Sequence, residues 1–226
     1  MLAPLPRLLP FPQSPPHQQQ ALAHAMLPGL MQHAVHPCGC RVVQRLLELR
    51  AVESGAPLPA HDLAMTLAAH ALELMFHQYG NYVAQHVLQF GSPAAASLVC
   101  GCALSHLPKA SRHKFASNVV EKALVVATAE QVEAAVQLLL APVHSYHGSI
   151  PRVRGIRTGD GPLLEIHTVM VHPYGNYVLQ GLLRKLEGDS AEQVASLVAQ
   201  QRLALRRSGN GKHLLQTAYG IIHRSS

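Results

Sequence analysis

Five stretches of this 226-residue chain can be laid over one another, and that self-similarity limits the fold more than any other feature. Residues 38–47 read CGCRVVQRLL, 79–88 read YGNYVAQHVL, 115–124 read FASNVVEKAL and 174–183 read YGNYVLQGLL. A degenerate fifth, 210–219, reads NGKHLLQTAY. The shared polar position falls at Gln44, Gln85, Glu121, Gln180 and Gln216, at intervals of 41, 36, 59 and 36 residues. The period of 36 therefore occurs twice, with a short insertion in one unit and a long one before Gln180. In the second unit Tyr79, Val83, Val87 and Phe90 are spaced four, four and three apart, which puts them on one face of a helix. Gly39, Gly80, Ala116 and Gly175 open these helices, where a small residue permits close approach. A second helical stretch precedes each, as in HDLAMTLAAHALELMFH and AEQVEAAVQLLLAPV. One unit of two or three short helices cannot bury its own apolar face, whereas stacked neighbours build a continuous core. The expected fold class is all-α, an α-solenoid.

The expected organisation follows. Residues 1–17 are a Pro- and Gln-rich leader, expected to be disordered; its prolines break the helical core that an export signal needs. Residues 18–226 form the repeat domain. Its repeats span about 18–53, 57–92, 93–128 and 129–188. The last repeat holds a Gly-, Pro- and Arg-containing insertion loop at 144–164, and a C-terminal half-repeat occupies 189–226. The stretch QQQALAHAMLPGLMQHAV is expected to cover the open N-terminal edge, with Pro28 interrupting its helix.

Composition narrows the function. With 48% hydrophobic residues the chain is not wholly disordered, and no apolar run approaches the length of a membrane helix. The four cysteines form two C-x-C pairs, Cys38/Cys40 and Cys100/Cys102, without the spacing or the histidine partners of a zinc site. No metal or cofactor is expected. There is no H-E-x-x-H, no G-x-S-x-G and no P-loop, so no enzyme is expected; GNGKH lacks the P-loop spacing. His36, His77, His113 and His172 recur just before the repeated helix, which argues for a structural role such as helix capping. Net charge is +6, with Arg202, Arg206, Arg207, Lys212 and Arg224 following the last acidic residue, Glu192. Of these, Arg206, Arg207 and Lys212 are candidate phosphate contacts.

Between the apolar positions each unit presents three residues: Cys40, Arg41 and Gln44; Asn81, Tyr82 and Gln85; Ser117, Asn118 and Glu121; Asn176, Tyr177 and Gln180. The first and third are four apart and share a helix face. In these residues the chain resembles a known family. HPCGCRVVQRLLEL, HQYGNYVAQHVLQFG, RHKFASNVVEKAL and HPYGNYVLQGLL are similar, in order, to the last four repeats of the Pumilio, or PUF, RNA-binding family. GDGP and GKHLL resemble its final loop and C-terminal cap.

The resemblance implies one RNA base per repeat, with the strand antiparallel to the protein. An amide both donates and accepts, so Asn81 with Gln85 and Asn176 with Gln180 can satisfy uracil. Guanine offers two adjacent donors, which suit the Glu121 carboxylate, with Ser117 as a small helper. Gln44 can meet adenine beside the small Cys40. Arg41, Tyr82, Asn118 and Tyr177 take the stacking positions, Asn118 being a poor stacker. Read in order, the chain implies 5′-UGUA-3′ in mRNA 3′ untranslated regions. It further implies cytoplasmic post-transcriptional repression of translation and mRNA stability by a monomer, through deadenylation or translational repressor proteins. The family stacks eight repeats and this chain carries four, so affinity below that of a full array is expected. A helical-repeat protein-interaction scaffold, or a truncated product, with weak and non-specific RNA binding is the alternative reading.

Overall fold

The computed structural model describes residues 16–48, 59–143, 153, 155–209 and 211–225. Residues 1–15 of the expected disordered leader lie outside these. Pro16 and His17 instead open a helix, with proline at the first helical position, where its missing N–H costs nothing. Among the described residues there is no strand, only one isolated bridge between Pro142 and Leu164.

Among the described residues fifteen α-helices follow one another in a repeating order of long, short, long. The first trio is α1 (Pro16–Met26), α2 (Leu30–Ala34) and α3 (Gly39–Glu48). The second is α4 (Pro59–Ala69), α5 (Ala71–Phe76) and α6 (Gly80–Phe90). The third is α7 (Pro93–Ser105), α8 (Leu107–Ser111) and α9 (Ala116–Val126). The fourth is α10 (Ala129–Leu140), α11 (Glu165–Met170) and α12 (Gly175–Lys185). The fifth is α13 (Gly188–Gln200), α14 (Arg202–Arg207) and α15 (Gly211–Ser225). The fold is an α-solenoid built from three-helix units. Two compact groupings divide at Val99 and Cys100, inside α7.

Two expectations change. QQQALAHAMLPGLMQHAV is not a separate cover; it supplies the leading helices of the first unit, with Pro28 in a single 3-10 turn between them. The last unit, read from sequence as a half-repeat, has the full three-helix order.

Stacking of apolar stripes accounts for the core. In the N-terminal grouping Leu63, Leu67, Leu74, Val83 and Val87 are fully buried; in the C-terminal one Leu107, Leu139, Ile166, Leu179 and Leu182 are. Each such side chain contributes about 1.5–3 kcal/mol. Helix starts carry local signals. Thr128 accepts from the N–H of Gln131, whose side chain accepts from the N–H of Thr128, a reciprocal cap on α10. Gly175 must be glycine: a Cβ there would lie 2.4 Å from the Val169 carbonyl oxygen. The same close approach recurs at Gly39, 2.6 Å from the His33 carbonyl oxygen.

The insertion in the fourth unit is closed at its base. Val143 N–H donates to Leu163 O (2.8 Å) and Glu165 N–H to Ala141 O (3.0 Å), around the Pro142–Leu164 bridge. Buried Gln201 pins its outgoing limb. Its Nε2 donates to Arg157 O at 2.7 Å, and Arg157 N–H donates to its Oε1 at 3.0 Å.

Candidate nucleic-acid interface

The four residue triplets lie in the first turn and a half of α3, α6, α9 and α12, and one histidine fixes the start of each helix. The first N–H groups of a helix have no intrahelical partner. Nδ1 of His36 accepts from the N–H groups of Cys38 (3.2 Å) and Gly39 (3.1 Å). Nδ1 of His77 accepts from Tyr79 (3.1 Å) and Gly80 (3.2 Å), and that of His113 from Phe115 and Ala116, both at 3.3 Å. His172 accepts from Tyr174 at 3.3 Å. Each histidine's carbonyl oxygen accepts the N–H of the first triplet residue: Cys40, Asn81, Ser117 and Asn176. The recurrent histidines are thus caps that seat the triplets. An accepting Nδ1 requires an unprotonated nitrogen there. Burial, and next the charge of Lys109 or Arg112, holds His113 and His172 below the ordinary histidine value.

Asn81 and Asn176 do not present their amides outward. Asn81 Nδ2 donates to the carbonyls of His77 and Gln78, both at 2.9 Å, and its Oδ1 accepts from Gln85 Nε2 at 3.2 Å. Asn176 repeats this with His172 (3.2 Å), Pro173 (2.8 Å) and Gln180 (3.1 Å). Both asparagines are buried, with 1% and 2% exposure. The sequence reading treated Asn and Gln as two equivalent faces toward a base. In the free protein Asn is an anchor, and its glutamine holds an acceptor oxygen and one remaining N–H in a fixed orientation.

In the first unit that anchor is missing. Cys40 Sγ donates to Pro37 O at 3.4 Å, and buried Gln44 has an Nε2 without a hydrogen-bond partner among the described residues. In the third unit Ser117 is buried and Glu121, one turn further on, reaches the surface. Protein packed around the Glu121 carboxyl pushes it above the ordinary glutamate value.

Of the stacking candidates, Tyr82 and Tyr177 stand out from the surface at 43% and 49% exposure. Arg41 lies over the Tyr82 ring at 5.3 Å. A base stacked between them would need roughly 7 Å, two stacking steps of 3.4 Å, more than this separation. Asn118 turns its amide back to the carbonyls of Lys114 and Phe115, both at 3.3 Å. At the C-terminus Arg206 and Lys212 line a cavity of about 600 Å³ with Leu215, Gln216 and Tyr219. Arg207 lines a different one with Gly155, Val171, Ala204 and Ser208. The three candidate phosphate contacts are therefore divided.

The four cysteines are free, and burial raises the thiols of Cys100 and Cys102. Among the described residues no group of His, Cys, Asp or Glu could hold a metal ion, and no helix is long and apolar enough to cross a membrane.

The sequence model of the Pumilio-family RNA binding repeat matches residues 34–50, 70–99, 110–140 and 165–199, half of the chain. The chain belongs to the Pumilio family. Among Pumilio relatives, fem-3 mRNA-binding factor 2 of Caenorhabditis elegans is 29% identical, over 79% of this chain and 32% of the relative. Pumilio homolog 12 of Arabidopsis thaliana is 25% identical, over 88% of this chain and 29% of the relative. The solved structure of PUF-8 in complex with PBE-RNA superposes with a TM-score of 0.71 at 25% identity, over 94% of this chain and 56% of that one. The Puf3 RNA binding domain bound to a Cox17 RNA 3′ UTR sequence does so at 0.69 and 23% identity, over 94% and 58%. The chain spans about a third of the length of these curated relatives and a little over half of the solved domains.

Proposed function

We propose that this Pumilio-family chain binds single-stranded RNA sequence-specifically, one base per repeat, in the order 5′-UGUA-3′. The observation that carries this is the anchored glutamine, built twice in the same way by Asn81–Gln85 and Asn176–Gln180. Each leaves an acceptor beside a donor, the complement of uracil's N3–H and carbonyl. Between them in sequence, Glu121 offers two acceptor oxygens to the N1–H and amino group of guanine. Gln44 has a buried, unspent donor for N1 of adenine and an oxygen for its amino group. Tyr82, Tyr177 and Arg41 stack on the bases, at about 1–3 kcal/mol per base. Asn118 contributes little stacking. Arg206 and Lys212 attract phosphate beyond the 5′ uracil. The likeness to PUF-8, solved with RNA, and to an mRNA-binding factor supports the reading. The targets on this reading are mRNA 3′ untranslated regions, bound by a monomer in the cytoplasm. No catalysis is involved; repression follows from recruited proteins.

A titration at fixed salt with RNAs containing UGUA, UUUA or an unrelated sequence tests this, with Ser117→Asn/Glu121→Gln beside the wild type. Wild-type preference for UGUA and a shift of the variant toward UUUA are expected. Equal, weak binding of all three RNAs by both proteins would overturn base-by-base reading and favour a protein-interaction scaffold.

A further inference from the structure

Two cations outside the triplets tie the third and fourth units together, near opposite ends of the reader helices α9 and α12. Lys185 is the last residue of α12, and its ammonium donates to the carbonyls of Leu124 (2.7 Å) and Val125 (3.1 Å) in the last turn of α9. Carbonyls in a helix's last turn lack intrahelical partners and carry the negative end of its dipole, so an ammonium there is held by both charge and hydrogen bonds. Arg112 reaches the other way. It stands directly before the cap of α9 and donates from Nη1 to Thr168 Oγ1 on α11 at 2.8 Å, with Nη2 3.5 Å from the Glu165 carboxylate. Its Nε donates to Pro108 O at 3.1 Å, which fixes the guanidinium on its own unit. Thr168 Oγ1 donates in turn to Glu165 O at 2.7 Å, so the receiving group is also held. α11 runs through the His172 cap into α12.

One tie therefore runs from the fourth unit to the third, and the other from the third to the fourth. Apolar packing of α9 on α12 already holds the pair together but is not directional. Directional bonds at two opposite ends oppose both sliding and pivoting of one unit on the other. Neither cation is in the triplets: Lys185 lies five residues beyond Gln180, about 7.5 Å along the helix.

The geometry points to Arg112 and Lys185 as positioning residues that set the pitch between the readers Ser117/Glu121 and Asn176/Gln180, so that their two bases are accepted only as immediate neighbours. This rests on the RNA-binding reading above. A paired hydrogen bond weakens steeply when either partner is displaced, so a loosened pitch costs register before it costs folding.

The test compares 5′-UGUA with 5′-UCGUA, in which one nucleotide separates the first two bases, at fixed salt. Wild type, Lys185→Met, Lys185→Arg and Arg112→Gln are titrated, and thermal unfolding is followed in parallel. The wild type is expected to prefer the contiguous RNA by about tenfold, the scale of the two neutral hydrogen bonds by which Gln180 would hold the uracil. Lys185→Met and Arg112→Gln should each bring that ratio close to one while unfolding cooperatively, and Lys185→Arg should restore it. If both RNAs weaken equally in Lys185→Met, and the salt dependence falls by about one phosphate's worth, Lys185 is a phosphate contact and the inference fails. It also fails alone if the wild type discriminates and the variants keep the full ratio. A wild type that binds the two RNAs alike overturns base-by-base reading, and the pitch inference with it.

Discussion

Truncating Asn176 to alanine separates anchoring from direct base contact. The side chain is 2% exposed and makes three hydrogen bonds: to His172 O, to Pro173 O and from Gln180 Nε2. His172 O keeps the backbone N–H of residue 176, at 3.2 Å, so two of the three losses are felt in full. At about 0.5–1.5 kcal/mol each, folding stability should fall by about 1–3 kcal/mol. For binding, Gln180 must then be ordered by the base itself. Fixing a glutamine side chain costs up to about 1.5–2 kcal/mol, which is roughly tenfold in Kd. The assay is fluorescence anisotropy with UGUA and AGUA RNAs on wild type, Asn176→Ala, Gln180→Ala and the double variant, with denaturant melts to confirm folding. If Asn176 acts through Gln180, it should matter little once Gln180 is gone, and the two losses should couple by about 1 kcal/mol or more. Additive losses, within about 0.5 kcal/mol, would refute the reasoning and make Asn176 an independent base contact.

Acid should act on the interface in two distinct ways. Because its surroundings push the Glu121 carboxyl upward, it takes up a proton sooner than ordinary glutamates as the pH is lowered, so preference for UGUA over UUUA should fade on acidification while the other positions still discriminate. This is read by repeating the titration down the pH scale. The depressed histidines His113 and His172 bind protons more readily unfolded than folded; their caps contribute fully above the ordinary histidine value, and that stability is lost as pH falls from about 6.5 toward their folded values. Denaturant midpoints should fall over that range, and His113→Gln should flatten the slope. Two glycines of α12 should respond oppositely to alanine in thermal melts. Gly175→Ala places a Cβ 2.4 Å from a backbone oxygen and should cost about 1–3 kcal/mol; Gly181→Ala meets only Leu124 Cδ1 at 3.6 Å and should gain about 0.5–1 kcal/mol.

The period of Gln44, Gln85, Glu121, Gln180 and Gln216 was enough to expect stacked helical units, because a repeated apolar stripe has no other way to be buried. In the second, third and fifth units the place where each leading stretch splits into a long and a short helix was not visible. α4 and α5 part at the single residue His70, and α13 and α14 at Gln201, and a one-residue break hardly disturbs a 3.6-residue period. The triplets were readable because they recur at fixed offsets from the apolar positions. The anchoring direction of Asn81 and Asn176 was not: it depends on which carbonyls a tight turn exposes, and the sequence specifies only that an amide is there. Arg112 and Lys185 had no local signal at all. Their partners are 56 and 61 residues away, and a cation ending a helix looks like any solvated charge until the neighbouring unit is in place. Arg207 lines a different cavity from Arg206 and Lys212, since consecutive helical residues point about 100° apart.

The closed base of the fourth unit's insertion separates what lies within the loop from what lies beneath it. The chain leaves and returns through adjacent residues, Pro142 and Leu164, joined by backbone bonds that do not depend on side-chain identity. Whatever side chains stand between those two posts, α10 and α11 receive the same boundary conditions, and Gln201 asks only for the backbone at position 157. Side chains there can be exchanged in the laboratory, so long as the backbone that meets Gln201 is kept, without disturbing α12 two helices on.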